Sequence, residues 1–210
     1  MSSHNRLILA SGSPRRLQLL QQIGIQPDNL RPVNIDETPE KGELPRKLAK
    51  RLSLTKAEVA VREVARNEET RGCYVLTADT VVGVGRRIID KAEFAEDASH
   101  ALRMLSGRAH RVYTGVCLAN PEGKIAQKIV ETRIRFKRLN EEDINAYLAS
   151  GEWRGKAGAY AIQGLAGSFV IKLTGSYSNV VGLPLYETMA LLKGMKFPVH
   201  MHWLSGVAGD

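Results

Sequence analysis

The stretch that decides the fold is Leu7-Ile8-Leu9-Ala10-Ser11-Gly12-Ser13-Pro14-Arg15-Arg16, in which an apolar strand runs into a helix start. The apolar residues 7–10 predict a short buried strand. Ser13 is a typical helix N-cap residue, and Pro14 suits the first helical position because proline has no N–H and a fixed φ. We therefore expect a strand, a tight turn and a helix N-terminus in direct succession.

Two arginines occupy the first turn of this helix. Cations there oppose the helix dipole, typically at a cost of about 0.3–1 kcal/mol each on a surface. Arg15 and Arg16 beside free backbone N–H groups would form a receptor for an anion. The alternative is that both side chains are simply solvated, and the motif alone does not separate the two interpretations.

Composition limits the class of protein. The chain has 210 residues, of which 43% are apolar and 25% charged, so we expect one folded domain over residues 1–210 with two lobes. The net charge of +8 favours polyanionic partners such as nucleic acids, nucleotides or phosphorylated metabolites. Aromatic residues make up only 6%, and no basic stretch is interleaved with them, which argues against binding of single-stranded nucleic acid.

The expected location is the cytoplasm, without a membrane partner. No apolar run reaches the roughly 18 residues of a membrane helix. Residues 1–6 lead into the first strand without the apolar region of a signal peptide. Cys73 and Cys117 lie in apolar strands without metal-ligand spacing, so we expect two reduced, buried thiols.

Strands alternate with helices along the chain, which predicts an α/β protein. The predicted strands cover residues 7–10, 73–82, 88–89, 110–119, 124–139 and 168–173. The predicted helices run from Pro14 to Gly24, from Pro45 to Arg66, from Ala95 to about Gly107, from Asn140 to about Gly151 and from Leu183-Pro184 to Gly194. Residues 26–43 form a polar connection, and residues 195–210 carry no clear pattern, so we expect a flexible tail there.

Asp79 is the sharpest exception to the local pattern, because it lies within the apolar segment Tyr74–Val82. Central strands disfavour aspartate. A buried, unpaired carboxylate is costly, so it requires a cation, a metal ion or a shifted pKa. Buried titratable groups concentrate at active sites, which favours a functional role. The alternative is that Asp79 ends the strand or caps a turn.

Other charged residues can join Asp79. Lys56 falls on the inner stripe of its helix, although its side chain could also reach solvent from the edge of that stripe. Lys91 follows the hairpin strand and Lys156 lies in a glycine-rich loop that could wrap a ligand; both could equally be solvated. Glu37, in a polar loop, would supply with Asp79 the oxygen ligands that Mg²⁺ prefers beside substrate phosphates.

These residue types are what metal-assisted attack of water on a phosphate requires. Cations neutralise the phosphates, a metal ion polarises them, and a carboxylate orients or deprotonates the water. The residues therefore predict a phosphate-ester hydrolase, without identifying which phosphate it cleaves.

The span from Leu7 to about Leu192 resembles the Maf family of nucleoside triphosphate pyrophosphatases. Seven motifs match in order: residues 9–16, Asp36-Glu37, Lys56-Ala57, Ala78-Asp79-Thr80-Val81-Val82, and residues 105–115, 156–164 and 175–184. The resemblance implies an α/β fold like that of the inosine triphosphate pyrophosphatases, with an elongated mixed β-sheet flanked by helices and a central cleft between two lobes.

The resemblance also implies the reaction: a nucleoside triphosphate and water give the monophosphate and diphosphate, with Mg²⁺ or Mn²⁺ as cofactor. By motif position, Asp79 is the implied proton acceptor, and Glu37 and Asp79 are the implied metal ligands. The implied substrate-binding residues are Ser11, Ser13, Arg15, Arg16, Glu37, Lys56, Thr80, Lys91, Lys156 and Gln163. A homodimer is a further expectation, and a nucleic-acid partner is not expected.

Within the family, an arginine after Pro14, a threonine after Asp79 and a glutamine after Ile162 are typical of the branch that acts on dTTP and UTP. Arg15, Thr80 and Gln163 match all three, whereas the branch that acts on 7-methyl-GTP typically has an aromatic residue at the first. The Gln163 amide suits a pyrimidine edge because it offers both a donor and an acceptor. The expected function is dTTP/UTP pyrophosphatase. The alternatives are a 7-methyl-GTP pyrophosphatase and a basic nucleic-acid-binding regulator.

One position departs from the family pattern. The chain has Asp90-Lys91-Ala92 where the family usually has Gly-Lys-Pro. The Asp90 carboxylate would compete with phosphate for the charge of Lys91, which makes a phosphate-binding role less secure for Lys91 than for Lys56.

Overall fold

A computed structural model describes residues 6–200 and 203. Its strands are β1 (Leu7–Leu9), β2 (Asn29–Leu30), β3 (Tyr74–Val84), β4 (Arg87–Ile89), β5 (Ala109–Ala119), β6 (Ile125–Phe136) and β7 (Val170–Thr174). Its helices are α1 (Pro14–Gln22), α2 (Pro45–Arg66), α3 (Ala95–Leu105), α4 (Glu141–Ser150), α5 (Tyr177–Val181) and α6 (Leu185–Gly194), and a 3₁₀ helix covers Leu165–Phe169.

The seven strands form one mixed sheet in the order β2-β1-β3-β5-β6-β7, and β4 forms a hairpin with β3. β1 runs parallel to both β2 and β3, whereas β3, β5, β6 and β7 pair antiparallel. Helices pack on the two faces of this sheet, so the predicted α/β fold with a mixed sheet flanked by helices is confirmed.

Side chains of β3 alternate between two helical layers, because successive residues of a strand point to opposite faces. Val75 and Val81 pack with apolar residues of α2. Leu76 and Ala78 belong to a different cluster, which includes apolar residues of α1 and α6. By this alternation Asp79 shares the α2 face with Val75 and Val81, and Thr80 shares the opposite face.

Helix α2 lies very close to the sheet where β5 passes beneath it. A Cβ atom added to Gly115 would lie 2.1 Å from Ser53 Oγ and 2.5 Å from the Ala49 carbonyl oxygen, so only glycine fits this position. The Thr77 hydroxyl donates to the Ser53 carbonyl at 3.0 Å. These contacts hold α2 against the sheet at Ser53, about one helical turn before Lys56.

A second hydrophobic cluster fills the other half of the molecule. Trp153 and Phe136 are 1% and 0% exposed and lie within it, together with residues of α3 and α4. The cluster around α1 and α6 and this second cluster meet along β3 and β5.

Several element boundaries differ from the predictions. The strand predicted to reach Leu139 ends at Phe136, next to a shift in its register with β7 between Arg135 and Phe136. The strand predicted from Ser168 begins at Val170, after the 3₁₀ helix. β2 and α5 are absent from the predictions, because two and five residues are too few to show a period.

Two further predictions at the ends of the chain are wrong in part. Ser13 occupies the N-cap position of α1, but its side chain makes no capping hydrogen bond. The segment expected to be a flexible tail begins with packed residues: Phe197 and Val199 are 3% and 2% exposed, and the Phe197 ring lies 5.2 Å from that of Tyr74. Residues 201, 202 and 204–210 lie outside the described part of the chain.

Candidate active site

A gap in the sheet opens beside the middle of β3. On that side β1 pairs with β3 as far as Leu76, and β4 begins to pair at Val82. Residues 77–81 keep their partners on β5, on the other side. The gap leaves this edge of β3 without a paired strand, and Asp79 and Thr80 lie at this edge.

A cavity of about 400 Å³ lies at this gap, within the range of about 300–1,000 Å³ that is usual for small-molecule sites. The structure brings every residue that the sequence predicted for the site to the wall of this one cavity. They are Ser11, Ser13, Arg15, Arg16, Glu37, Lys56, Asp79, Thr80, Lys91, Lys156 and Gln163.

Four of these side chains form a continuous chain of ion pairs. Lys56 Nζ donates to Asp79 Oδ1 at 2.5 Å and to Glu37 Oε1 at 2.6 Å. Lys91 Nζ donates to the other oxygen of Glu37, Oε2, at 2.5 Å. Asp79 is thus paired by a cation, as a buried carboxylate requires, and it lies within the strand rather than at its end.

Burial makes the pair between Lys56 and Asp79 the most constrained of these contacts. The two residues are 8% and 4% exposed, and the close packing of α2 at Gly115 leaves Lys56 on the face of α2 that meets Asp79. The prediction that Lys56 lies on the inner stripe is confirmed, and the alternative that it reaches solvent is wrong.

Glu37 is held in its charged form. Burial by itself would raise the pKa of the Glu37 carboxyl, but the hydrogen bonds and positive charges of Lys56 and Lys91 lower the pKa to about 2. Glu37 therefore contributes a full negative charge at neutral pH, at the mouth of the cavity.

Arg16 is fixed by three acceptors on three different parts of the fold. Its Nε donates to the Gly182 carbonyl at 2.8 Å, its Nη1 to Ser11 Oγ at 3.0 Å, and its Nη2 to Thr80 Oγ1 at 3.2 Å. Burial lowers the pKa of the Arg16 guanidinium, although the charge of nearby Asp79 opposes that effect. No carboxylate pairs with Arg16 among the described residues, so its positive charge is only partly compensated.

Arg15 and Lys156 line the cavity without an ion pair in the part of the chain that the structure describes. Arg15 makes no ion pair or side-chain hydrogen bond with the part of the chain that the structure describes, and burial lowers the pKa of its guanidinium. Burial and the charge of Arg15 likewise lower the pKa of Lys156, whose Nζ donates to the Arg154 carbonyl and to no other group among the described residues. Two partly buried cations that repel one another form a receptor for an anion.

The loop that carries Lys156 is tied to the segment after β4. Lys91 forms an isolated antiparallel bridge with Ala157. Gly158 has a φ of +73°, and a Cβ atom there would lie 2.9 Å from both γ-methyl groups of Val82, so glycine allows the loop to approach β3. Lys91 pairs with Glu37, and no ion pair joins it to Asp90 among the described residues. The competition of Asp90 with phosphate for Lys91 stays a prediction.

Ser11, Ser13 and Gln163 differ in how firmly they are held. Ser11 is 9% exposed, and its Oγ also accepts from the Ser13 amide at 3.3 Å. Gln163 is exposed and lines the cavity, and its amide makes no hydrogen bond to the described residues, which leaves both its donor and its acceptor available.

Three residues of the site, Gly182, Thr114 and Asn179, were not predicted as site residues, although all three lie in segments that resemble family motifs. Gly182 supplies the carbonyl that accepts from Arg16 Nε. The Thr114 hydroxyl lies 2.9 Å from that of Thr80, and it also donates to the Asn179 carbonyl at 2.9 Å. The motif resemblance covers these three residues, but it does not show what they contact. Backbone carbonyls leave no signature in residue type, and a threonine in an apolar strand is ordinary, so residue type gave no signal for these contacts.

The described residues contain no group of three or more His, Cys, Asp and Glu side chains placed to hold a metal ion. Glu37 and Asp79 nevertheless both contact Lys56 Nζ, so their carboxylates lie close together. Oδ2 of Asp79 has no hydrogen-bond partner among the described residues. Mg²⁺ commonly takes one or two carboxylates together with substrate phosphates, and this pair of hard oxygen donors fits that pattern.

The overall charge of the cavity favours a polyanion. Five cationic side chains (Arg15, Arg16, Lys56, Lys91 and Lys156) and two carboxylates (Glu37 and Asp79) line it, which leaves three positive charges in excess. A small ligand with several negative charges, such as a di- or triphosphate, would balance that excess.

Comparison with known proteins agrees with this chemistry. The sequence model for Maf-like proteins matches residues 6–195. The chain belongs to the Maf family. Among its Maf relatives, the dTTP/UTP pyrophosphatase of Nitrobacter winogradskyi (strain Nb-255) is 64% identical, over 97% of this chain and 99% of that protein. The dTTP/UTP pyrophosphatase of Rhodopseudomonas palustris (strain BisB5) is 60% identical, over 98% and 99% of the two chains.

Solved structures give weaker matches. A nucleoside-triphosphatase/dITP/XTP pyrophosphatase from Mycobacterium abscessus is 18% identical with a TM-score of 0.36, over 64% of this Maf chain and 74% of that one. The Ham1 protein of Staphylococcus aureus is 15% identical with a TM-score of 0.43, over 62% and 71% of the two chains. No helix in the described ranges, 6–200 and 203, has the length and apolar character needed to span a bilayer.

Proposed function

We propose that this Maf protein hydrolyses dTTP and UTP to the nucleoside monophosphate and diphosphate. Relatives that carry this activity in their names are 59–64% identical to the chain over nearly the full length of both. The observation that carries the proposal is the buried pair of Asp79 and Lys56 at the wall of a cavity with excess positive charge.

Asp79 is the proposed proton acceptor. Its Oδ1 is occupied by Lys56, while its Oδ2 has no partner among the described residues, so Oδ2 can accept a proton from water. The oxygen of that water attacks the α-phosphorus. The bond from the α-phosphorus to the oxygen that bridges to the β-phosphorus then breaks, and diphosphate leaves with that oxygen. Lys56 stabilises the charged form of Asp79 until the proton is transferred.

The cationic side chains would bind the phosphates. Arg16 is pre-positioned by its three acceptors, whereas Arg15 and Lys156 are free to turn towards the ligand. Fixed cations stabilise the negative charge that develops on the leaving diphosphate without reorganisation during the reaction. Lys91 would exchange its contact with Glu37 for a contact with phosphate.

Glu37 and Asp79 would hold a divalent cation, Mg²⁺ or Mn²⁺, together with the substrate phosphates. When bound, such an ion neutralises phosphate charge and polarises the phosphorus–oxygen bonds. Glu37 suits this role because a pKa of about 2 keeps its carboxyl ionised at neutral pH.

Selectivity for the base would come from the rim of the cavity. The Gln163 amide can both donate to and accept from a pyrimidine edge. Arg15 and Thr80 match the residues expected for the dTTP/UTP branch, and Thr80 acts through Arg16, to which its hydroxyl is bonded.

Ser11 and Ser13 belong to the turn before α1 and line the cavity. The hydroxyl and N–H groups of this turn are suited to phosphate oxygens.

The free thiols of Cys73 and Cys117 are both buried, which suits a reducing compartment such as the cytoplasm. A single domain over residues 1–210, a homodimer and the absence of a nucleic-acid partner stay predictions.

The proposal is tested by measuring diphosphate release from a panel of nucleoside triphosphates in the presence of Mg²⁺ or Mn²⁺. We expect the highest kcat/KM with dTTP and UTP. Preference for 7-methyl-GTP would assign the chain to the other branch of the family. No turnover on any nucleotide, together with salt-dependent binding to DNA, would replace the enzyme by a nucleic-acid-binding regulator.

A further inference from the structure

Two threonine hydroxyls connect Arg16 to the backbone of α5. We propose that Thr114 is a positioning residue for phosphate binding, because it fixes the direction of the Thr80 hydroxyl and thereby the orientation of the Arg16 guanidinium. We call Thr80 and Thr114 the hydroxyl relay. This inference rests on the proposed function and names a residue on which substrate binding at the same site depends.

Counting hydrogens fixes the direction of every bond in the relay. A hydroxyl has one hydrogen and can also accept. The Asn179 carbonyl can only accept, so the Thr114 hydroxyl donates its one hydrogen there, at 2.9 Å. Thr114 can then only accept from Thr80, whose oxygen lies 2.9 Å away. Thr80 gives its hydrogen to Thr114 and keeps its lone pairs for Arg16 Nη2, at 3.2 Å.

The far end of the relay is anchored in the core. Asn179 is fully buried, and its Nδ2 donates to the Val112 carbonyl at 3.2 Å and to Thr132 Oγ1 at 2.9 Å. These bonds hold α5 against β5 and β6. Gly182, which follows α5, supplies the carbonyl that accepts from Arg16 Nε. Two of the three acceptors of Arg16 therefore depend on the placement of α5.

The relay leaves Arg16 with a defined binding capacity. A guanidinium carries five N–H donors, and three of them are used by Ser11, Thr80 and Gly182. One donor remains on each of Nη1 and Nη2. Because both nitrogens are held by their other donors, the remaining pair points in a fixed direction. An arginine with two fixed donors is suited to two oxygens of one phosphate group.

The test is a double-mutant cycle between Thr114 and Arg16, read by steady-state kinetics on dTTP. Thr114→Val keeps the shape and removes the hydroxyl, and we expect KM to rise about five- to tenfold with kcat within twofold, as for the loss of one hydrogen bond between neutral groups. Thr114→Ser, which keeps the hydroxyl, restores the KM of the wild type. In an Arg16→Lys background Thr114→Val changes KM by less than twofold, since the guanidinium is gone.

Thr70→Val is the matched control. Thr70 is 1% exposed, its hydroxyl donates to the Val64 carbonyl at 3.2 Å, and it does not line the cavity. It measures the general effect of removing a buried threonine hydroxyl, and its KM stays within twofold of the wild type. A Thr114→Val variant with unchanged KM would overturn the inference, and so would an equal rise in KM in the Arg16→Lys background.

Two further measurements keep the inference testable. If Thr114→Val does not fold, Thr80→Ala removes the middle hydroxyl, leaves the bond from Thr114 to Asn179 and is read in the same cycle. If the wild-type protein releases no diphosphate from any nucleotide, the proposed function fails on its own. Calorimetric titration with inorganic triphosphate then reads the cycle as fold-changes in Kd, and additive effects of the Thr114 and Arg16 substitutions would overturn the relay.

Discussion

Lys56 Nζ lies 2.5 Å from Asp79 Oδ1, at a position where the two residues are 8% and 4% exposed. A buried ion pair contributes little relative to an apolar pair of the same volume, but removing one partner leaves the other charge buried and unpaired. The stability of the site and its chemistry are therefore coupled through one contact.

Replacing Lys56 should destabilise the fold as well as abolish turnover. Lys56→Met leaves the Asp79 carboxylate without its cation, and we expect a loss of about 3–5 kcal/mol in the free energy of unfolding. The double variant Lys56→Met/Asp79→Asn should regain most of that loss. Lys137→Met is the control, because Lys137 forms an ion pair with Asp143 in which the side chains are 40% and 22% exposed, and such pairs contribute only about 0–1 kcal/mol. Urea denaturation measures the free energy of unfolding of the three variants and the wild type; equal losses for Lys56→Met and Lys137→Met would show that the buried pair is no more important than an exposed one.

Asp79→Asn should separate binding from chemistry. The amide cannot accept the proton from water, so we expect kcat for dTTP to fall by about 10²–10⁴-fold. The five cations of the cavity remain, so calorimetry should still detect nucleotide binding. Asp143→Asn is the control: it removes a carboxylate of α4 that pairs with Lys137, and it should leave kcat within twofold. A kcat near that of the wild type in Asp79→Asn would exclude Asp79 as the proton acceptor.

The sequence was sufficient to predict a set of residues that the structure places around one cavity, but not the contacts between them. Asp79 and Lys56 each break an apolar pattern, and that local conflict is visible without a structure. The pairing of Asp79 with Lys56 depends on α2 approaching β5 at Gly115, which is a relationship between distant segments. No local sequence rule shows that a glycine on β5 brings a lysine of α2 into contact with an aspartate of β3.

Short elements and backbone acceptors were beyond prediction for a related reason. The five residues of α5 give little more than one helical turn, so no period can be recognised. The carbonyl of Gly182 is chemically the same as any other, and its role arises only because α5 places it beside Arg16. The long elements, from β3 to β6, were predicted almost to their ends because their apolar patterns extend over many residues.

Gly115→Ala should destabilise the site without changing a charged residue. The added Cβ would lie 2.1 Å from Ser53 Oγ and 2.5 Å from the Ala49 carbonyl oxygen, so α2 must move away from β5. We expect a loss of about 1–3 kcal/mol in the free energy of unfolding, as for other overpacked cores, together with lower kcat/KM as Lys56 moves with α2. Gly194→Ala, where a Cβ meets nothing within 4 Å, is the control and should change neither quantity appreciably. Full activity in Gly115→Ala would show that the close approach of α2 is unimportant for the site.

His110 should make stability depend on pH between about 6.5 and 4. Burial lowers the pKa of His110 to about 4, and its Nε2 lies 2.8 Å from the Tyr160 hydroxyl. The unfolded chain takes up a proton below about pH 6.5 and the folded chain does not until about pH 4, so the contribution is fully present above 6.5 and is lost as the pH falls. The resulting decrease in the free energy of unfolding approaches roughly 3 kcal/mol near pH 4. The free energy of unfolding of His110→Gln, measured at a series of pH values, should not show this decrease between pH 6.5 and 4. His100→Gln, which replaces an exposed histidine on α3, should keep the decrease. The same slope in His110→Gln would assign the pH dependence to another group.

Gln163→Glu should change which base is accepted more than how fast phosphate is cleaved. The amide offers a donor and an acceptor, whereas an ionised carboxylate only accepts. We therefore expect the ratio of kcat/KM for dTTP over dCTP to fall by about tenfold, because one matched hydrogen bond to the base is replaced by a mismatched one. Gln22→Glu adds the same charge on the exposed side of α1 and controls for repulsion of the substrate. If both variants lower kcat/KM for dTTP and dCTP by the same factor, the effect is electrostatic and Gln163 does not read the base.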